Sequence, residues 1–540
     1  MRSQKSSVIK QASILVIAGI LCRIIGILYR SPLTAVIGNE GNGYYSVAYN
    51  IYTIILLISS YSIPTAISKE MSQRIALDDY KNAYKIFKCS LLYVLAIGGL
   101  FSVFTYTCSD ILVGSNSSSV LKIFAPCILL SGILGTFRGF FQAHNSMVQT
   151  SVSQIIEQLA NAIFSIGVAY FFIQSYTGNN STVTAIKGAM GSATGTCLGV
   201  IFGLLFMMVA FAKNRSFIKE KSATKSMHVL STKHIFKIII LTISPIILST
   251  FIYNFSTTLN QTLYTKVMFF IKGISESQIA KDYGVFAGKV IVIQNIPIAI
   301  ASSISTAVIP SIAGSYASGN HSILFAKIKN ILWMITYISI PSAVGIFVLS
   351  RPLMLLLFPQ LETLELSVHL LMFISISIIF YSISTVTNGI LQALGEVKVP
   401  VKNAFIALIL QTIVLVFLLL FTSYDLYAMG ISTILYSMIM CILNQVALKK
   451  FLNKTLDIQN SILKLLFISC FMGLTVFSSY KGIYFLLKSN IISLAFSVLF
   501  GTLIYFALSI KQDLLDAKLL QSLPFGNSLI SILKALHITK

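Results

Sequence analysis

Two arginines carry most of the chemistry that this sequence offers. Arg23 lies in the middle of the first long apolar stretch, residues 8–29 (VIKQASILVIAGILCRIIGILY), and Arg30 follows seven residues later. The stretch is long enough to cross a bilayer, where an arginine at a helix centre costs about 2.5–3.5 kcal/mol on insertion scales and so faces a polar cavity or a partner. On a continuous helix, seven residues at about 100° each bring Arg30 back within about 20° of Arg23, roughly 10 Å further along the axis. Two guanidiniums on one stripe suit a multiply charged anion, because arginine makes bidentate, charge-assisted hydrogen bonds to phosphate or carboxylate oxygens. The bland alternatives are pairing of Arg23 with backbone carbonyls or a polar neighbour, and snorkelling of Arg30 to the headgroups.

The acidic residues sharpen that reading. The chain has 16 Asp and Glu, nearly all in loops or the tail, and Glu157 is the one clear carboxylate well inside an apolar span. Antiporters that expel cations rely on intramembrane carboxylates, so a cationic first helix in an acid-poor membrane domain reverses the expected sign. Arg138 and Glu157 stand at similar distances from the turn between their two spans. A structural ion pair across this hairpin is therefore expected, with a coupling role for Glu157 as the alternative.

Composition fixes the class. Of 540 residues 56% are hydrophobic and 10% charged, and the mean hydropathy is +0.85. No soluble protein of this size hides that much apolar surface, which makes this an all-α polytopic membrane protein. The net charge of +23 lies in short loops between apolar spans, a pattern that points to anionic membrane lipids and away from nucleic acid. The seven cysteines show no CxxC, and the six histidines show no ligand spacing, so neither disulfides nor a metal site is implied. The run Gly284–Val290 (GVFAGKV) is one residue short of a phosphate-binding loop and lacks its hydroxyl. Asp78-Asp79, the one acidic pair, sits in a lysine-rich loop. No enzyme and no cofactor are expected.

Apolar segments fall near 8–30, 44–67, 83–107, 120–143, 151–174, 184–212 and 236–261, then near 284–312, 325–350, 366–391, 399–423, 427–450, 462–487 and 490–511. That predicts about fourteen transmembrane helices, the first retained as a helix, with both termini on one side. Lysine and arginine favour the side of the N-terminus by roughly three to one, which predicts N-in and C-in. The outer segment 263–283, with Lys266, Lys272 and Lys281, fits this bias least.

An internal echo organises the spans. Gly139-Phe140-Phe141-Gln142-Ala143 recurs 250 residues later as Gly389-Ile390-Leu391-Gln392-Ala393, and Ser62-Ile63-Pro64 is echoed by Val308-Ile309-Pro310. The matched spans differ by six, so the copies share an orientation, as in a parallel repeat with a pseudo-twofold axis along the membrane normal. The expected organisation is an N-terminal lobe of helices 1–6 (residues 1–212), a basic cytoplasmic linker (213–234) and a C-terminal lobe of helices 7–12 (235–455). Helices 13–14 (456–511) and an amphipathic cytoplasmic tail (512–540) complete it. Two such lobes would enclose a cavity and alternate access by rocking. Gly191, Gly195, Gly199 and Gly203 form a small-residue ridge for close helix packing. Pro64, Pro126, Pro245, Pro297, Pro310 and Pro341 lie in or near spans and can bend helices.

The stretches CRIIGILYRSPLTAVIGNEGNGYYSVAYNIYTIILLISSYSIPTAISK, GFFQAHNSMVQTSVSQIIEQL and VIPSIAGSYASGNHSILFAKI resemble the polysaccharide-exporter branch of the multidrug/oligosaccharidyl-lipid/polysaccharide (MOP) flippase superfamily. Within it, they are similar to the stage V sporulation protein B and MurJ-like lipid II flippase group. The resemblance implies a MATE-like transporter of the bacterial cytoplasmic membrane that moves an undecaprenyl-diphosphate-linked saccharide from the inner to the outer leaflet. Lipid II, the peptidoglycan precursor, is the leading cargo, and cell-wall synthesis machinery is an implied partner. A drug or cation antiporter on the same fold, or an exporter of a capsule, teichoic or spore-cortex unit, is the alternative. The family's Arg-x-x-Gly element on helix one matches Arg23 and Gly26, whereas its second arginine, six residues on, meets Arg30 at seven. The family's helix-eight cation is matched by Lys289, and its helix-two arginine has no counterpart. Where relatives bind Na⁺ through carboxylates on helices seven and eleven, this chain offers Asn254 and Asn403.

Overall fold

The computed structural model describes residues 17–512 except 20, 62, 76, 145, 215–229, 318, 320, 454–458, together with residue 514. The start of the first predicted span, most of the basic linker and nearly all of the tail lie outside the described residues. Among the described residues every regular element is a helix. Among the described residues, ten helices are long and apolar enough to cross a membrane, or up to twelve when two bent pairs each count as one span. The chain is thus an all-α, multi-pass membrane protein.

Bends set part of the difference from fourteen. Expected spans one and two form one bent pair, in which α1 (residues 17–28) meets the helix from Arg30 at 46°. Helix α2 (Arg30–Leu56) is itself interrupted at Gly38, whose φ of 70° and ψ of 179° break the helical path. A positive φ of this kind is open to glycine at little steric cost. The expected tenth span is the second bent pair, broken by 48° between residues 374 and 377. The expected seventh span lies within the helix Thr232–Lys266.

The remaining helices follow the apolar segments closely. They are α3 (Ile63–Ile75), α4 (Tyr80–Thr107), α5 (Ser109–Val113), α6 (Ser115–Ala143), α7 (Met147–Gln174), α8 (Ser181–Lys213) and α9 (Thr232–Lys266). Next come α10 (Glu276–Val285), α11 (Ile291–Ala317), α12 (His321–Val348), α13 (Ser350–Leu357), α14 (Leu364–Ile374) and α15 (Ser377–Ala393). The series closes with α16 (Lys398–Phe421), α17 (Leu426–Leu452), α18 (Gln459–Leu487) and α19 (Asn490–Lys511). Pro126 and Pro341 sit inside helices that continue through them.

The chain forms two compact units. One comprises Met1–Gly288 and Ala404–Met429, and the other Lys289–Asn403 and Gly430–Lys540. In the first, the small-residue ridge of α8 lies directly on α7. A Cβ built on Gly191 would overlap the Ala169 backbone, and one on Gly195 the Ser165 backbone, while one on Gly199 would sit 2.7 Å from Glu157 O. Backbone therefore meets backbone along several turns, which is how helices associate where lipid removes the usual hydrophobic drive.

The two sequence echoes also meet. A Cβ on Gly139 would lie 2.9 Å from Pro64 O and 3.0 Å from Ile67 Cβ, placing α6 on α3. In the second unit, a Cβ on Gly389 would run into Ser305 Oγ and meet Ile309 at 3.5 Å, placing α15 on α11. Each unit thus packs the glycine of one echo against the helix that carries the other. Gln142 is half-buried and Gln392 exposed.

Loop contacts group the helix ends by face. In the first unit, the segments after expected spans one, three and seven meet through Ser277 to Glu40 and Asn116 to Glu276. The segment after span eleven joins them through Lys272, which binds Asp425 at 2.8 Å and the Thr422 carbonyl at 2.9 Å. Elsewhere the start of α4 meets the segment before α9, where Lys85 Nζ donates to Leu230 O and Leu230 N to Asn82 Oδ1. In the second unit, Asn490, the first residue of α19, donates to Pro352 O in α13.

Replacing Gly195 by alanine is expected to destabilise the first unit by about 1–3 kcal/mol, because the new methyl must displace backbone. Gly167→Ala on α7, where a Cβ meets nothing within 4 Å, is the control. Thermal midpoints of the detergent-extracted proteins should fall for the first variant and hold for the second.

Candidate functional site

The candidate site is assembled on the first helix and the helices that support it. Arg23 stands on α1 with its side chain exposed. One residue earlier, Cys22 lies within electrostatic reach of both Glu157 and Arg138. One turn later, a Cβ on Gly26 would meet Gln158 Nε2 at 3.2 Å, so α1 rests on α7 at this point. The smallness of Gly26 is what lets the arginine-bearing turn approach α7.

Arg138 and Glu157 are joined across the α6–α7 hairpin. Arg138 Nη2 donates to Glu157 Oε2 at 2.6 Å and its Nε to Ser153 Oγ at 2.9 Å. Their side chains are 15% and 30% exposed, so the pair is shielded without being sealed. Charge-assisted bonds of this length are among the stronger polar contacts a protein makes, and each charge offsets the burial cost of the other.

Arg30 has a different environment from Arg23. The bend at residue 29 separates them, so the single straight stripe expected from periodicity is not what the chain forms. The Arg30 guanidinium lies over the Tyr45 ring at 5.3 Å and the Tyr29 ring at 5.9 Å, a cation–π arrangement. Tyr45 stacks on Tyr49 at 5.6 Å, and Tyr52 on Phe124 at 4.7 Å. The Tyr45 hydroxyl is 3.2 Å from Thr196 Oγ1, which donates to Asn161 Oδ1 at 3.1 Å. Tyr45, Tyr49 and Tyr52 recur at helical spacing and share a face. That aromatic support was readable in the sequence, but reads as ordinary core until Arg30 is placed against it.

Lys289 is fully buried, in a π-helical turn at residues 286–290, and donates to Thr363 Oγ1 at 2.9 Å within the second unit. In this conformation its ammonium is bonded within the second unit. Asn403, considered for an ion site, belongs to a buried carboxamide chain instead. Its Nδ2 donates to Asn444 Oδ1 at 2.9 Å, and Asn444 Nδ2 donates to Asn388 Oδ1 at 2.7 Å. Among the described residues no group of three or more His, Cys, Asp or Glu could hold a metal ion.

One carboxylate escaped the sequence reading. Glu40 is 8% exposed and accepts from Tyr44 OH at 3.0 Å and from Ser277 Oγ at 2.7 Å. The surrounding Gly38, Gly41 and Gly43 read as a loop, whereas the chain resumes its helix just after Gly38 and carries Glu40 inward. Glu157 is therefore not alone as a carboxylate within the helical bundle. Gly284 and Gly288, which resemble part of a phosphate loop, serve close packing: a Cβ on Gly284 would overlap the Asn39 carbonyl. Outside the spans, hydrogen bonds from Ser118 and the Lys122 ammonium hold the Asp110 carboxyl below the usual carboxylate range.

A bundle of long apolar helices defines a multi-pass membrane protein. The family model described as "Polysaccharide biosynthesis protein" matches residues 8–315, and the model described as "MatE" matches residues 287–418. This chain belongs to the polysaccharide biosynthesis protein family and, with it, to the MOP/MATE superfamily of membrane transporters. It is 26% identical over 430 residues to the lipid II flippase MurJ of Bacillus subtilis (strain 168), covering 76% of each chain. It is also 26% identical over 314 residues to stage V sporulation protein B of the same organism, covering 57% of this chain and 58% of that one. A solved structure of lipid II flippase MurJ in an inward closed conformation shares the fold, with a TM-score of 0.65 and 18% identity over 92% of this chain and 98% of that one. The protein is accordingly an alternating-access transporter, not an enzyme, that moves a lipid-linked or small-molecule substrate across the membrane.

The ion pair yields a double-mutant prediction. Arg138→Leu and Glu157→Leu are each expected to lower stability by up to about 3–5 kcal/mol, because each strands one shielded charge. The double variant should be more stable than either single one. Thermal midpoints of the four proteins measure that coupling, and simple additivity would show that the pair contributes nothing.

Proposed function

We propose that this protein flips an undecaprenyl-diphosphate-linked saccharide, with lipid II the leading cargo, from the inner to the outer leaflet of the bacterial cytoplasmic membrane. The carrying observation is the cationic first helix: Arg23 exposed on α1, and Arg30 held over two tyrosine rings. A diphosphate supplies the charge that repays keeping guanidiniums within an apolar bundle, and its two phosphates can each engage a planar fork of donors. The polyprenyl chain can stay in lipid while the head crosses, which avoids placing sugars in hydrocarbon. In the proposed arrangement, two six-helix repeats followed by helices 13 and 14 run N-in and C-in, with anionic lipids at the basic loops. Lys289 would reach cargo only after leaving Thr363.

Two other cargo classes have specific support. The family's description as a polysaccharide biosynthesis protein, and the sporulation relative, favour a capsule, teichoic or spore-cortex unit on the same lipid carrier. The MatE match over residues 287–418 favours a drug or cation antiporter. Cargo charge separates the last class from the others. Glu157 is tied to Arg138, and Glu40 is bonded to Tyr44 and Ser277, so these two carboxylates are committed to structural contacts in this state.

Depletion of the protein should cause one lipid-diphosphate saccharide to accumulate in the inner leaflet, and the identity of its glycan names the cargo. Arg23→Ala and Arg30→Ala are each expected to cut flipping at least ~10-fold at normal protein levels, the loss of one charge-assisted contact to the cargo. Translocation of a fluorescent lipid II into reconstituted vesicles measures this for the leading cargo. Full activity of the double alanine variant would reject the cationic-helix mechanism, and accumulation of an unlinked cationic compound would favour the antiporter.

A further inference from the structure

A cavity of about 360 Å³ lies within the first unit, where α6 and α10 begin and α9 ends, against α2. Ligand sites in proteins begin at about this size. Its walls include Tyr44 on α2, Asn116 on α6, Gln261 and Thr265 on α9, and Glu276 and Tyr283 on α10. Neither Arg23 nor Arg30 lines it, so the cavity is distinct from the cationic helix.

Asn50 sets the polarity of one wall. Its Nδ2 donates to Gln261 Oε1 at 2.6 Å and to the Tyr283 hydroxyl oxygen at 2.8 Å. Gln261 is thereby left with its Nε2 amide to offer and Tyr283 with its O–H, and both are donors. Each residue is 2% exposed, and neither donor has a partner among the described residues. Thr265 Oγ1, one turn further along α9, is also buried without a partner. Glu276 Oε2 accepts from Asn116 Nδ2 at 2.5 Å, which leaves Oε1 as an acceptor with no partner among the described residues. A Cβ built on Gly114 would lie 3.8 Å from that oxygen, so the glycine keeps it uncovered.

Buried polar groups are rarely left unpaired, and several of them around one space mark where a ligand or ordered water belongs. Their types select the ligand. Three donors disfavour a cation, Glu276 together with Asp110 on the same lining disfavours an anion, and a lipid chain would leave every one of these groups unpaired. A neutral, oxygen-rich group satisfies them all, since a hydroxyl both donates and accepts and an acetamido carbonyl accepts. The Tyr44 and Tyr283 rings add flat apolar surface of the kind that packs against the C–H face of a sugar ring.

We propose that this cavity binds a neutral saccharide unit, with Gln261, Thr265 and Tyr283 donating to its oxygens and Glu276 accepting from a hydroxyl. The sugar arrives either free in water or as the end of a lipid-linked glycan, and the recognising chemistry is the same for both. The site lies inside one unit and does not depend on which cargo is flipped.

The test uses the full chain in nanodiscs, with N-acetylglucosamine as the probe and saturation-transfer difference NMR as the readout. Saturable binding at millimolar concentration is expected. Thr265→Val should weaken it about 3–10-fold, the loss of one hydrogen bond, at an unchanged thermal midpoint, because that hydroxyl has no protein partner to lose. Tyr283→Phe and Glu276→Gln should weaken it at least as much. Absence of saturable binding, or binding that none of the three variants weakens, would overturn the site. Tighter, Glu276-dependent binding of choline would overturn it in favour of a cation pocket. Translocation separates the two sources of sugar. If the cargo supplies it, Thr265→Val slows a fluorescent lipid II relative to undecaprenyl diphosphate that carries no glycan. If the sugar is free, both lipids move as in the unaltered protein while binding is still weakened. Binding is read without a lipid carrier, so a failed cargo assignment and a failed saccharide site are distinguishable.

Discussion

Close approach of helix backbones at glycine is the constraint on which the rest of this structure depends. In lipid, apolar side chains gain little by leaving one hydrocarbon surface for another, so helices associate through packing density and interhelical hydrogen bonds. Gly191, Gly195 and Gly199 bring α8 onto α7 along its length, and Gly139 seats α6 on α3. Those contacts bring Glu157 to the centre of three helices, within reach of Arg138 and of the turn of α1 that precedes Arg23. Larger residues along the ridge would push α7 away and carry the ion pair and its neighbouring helix with it.

Charge is managed in two ways within this frame. Arg138 is neutralised locally by a carboxylate across a hairpin, a static arrangement. Arg30 is held by aromatic faces, which attract the cation without cancelling it. A guanidinium kept charged but positioned is suited to receive an anion, because little reorganisation is needed when the anion arrives. The tyrosine that carries it is in turn oriented through Thr196 and Asn161. Support of this kind places the guanidinium on rigid helices instead of loops.

Polar side chains elsewhere bind helices where carboxylates would be too costly. The Asn403–Asn444–Asn388 chain and the Gln411–Asn260 bond, at 2.9 Å, join helices through neutral amides. Each amide both donates and accepts, so such chains satisfy one another without a net charge. This explains how a chain with 16 acidic residues stitches so many helices together.

Much of this protein is determined by its sequence alone. Apolar length sets the membrane class and nearly all helix positions, glycine periodicity marks the α8 ridge, and the spacing of Arg138 and Glu157 about a turn anticipates their pairing. These are local or nearest-neighbour properties, fixed by hydropathy and helical geometry. The tertiary structure decided what depends on direction and long-range contact. A break at Gly38 and a bend at residue 29 divert Arg30 from the line of Arg23, and no periodicity reports a break. The same break makes Glu40 a buried helical residue where a glycine-rich loop was expected. Lys289 turned inward to Thr363, and residues 276–288 docked on a helix from the other end of the chain, because partners so remote in sequence are chosen only by packing.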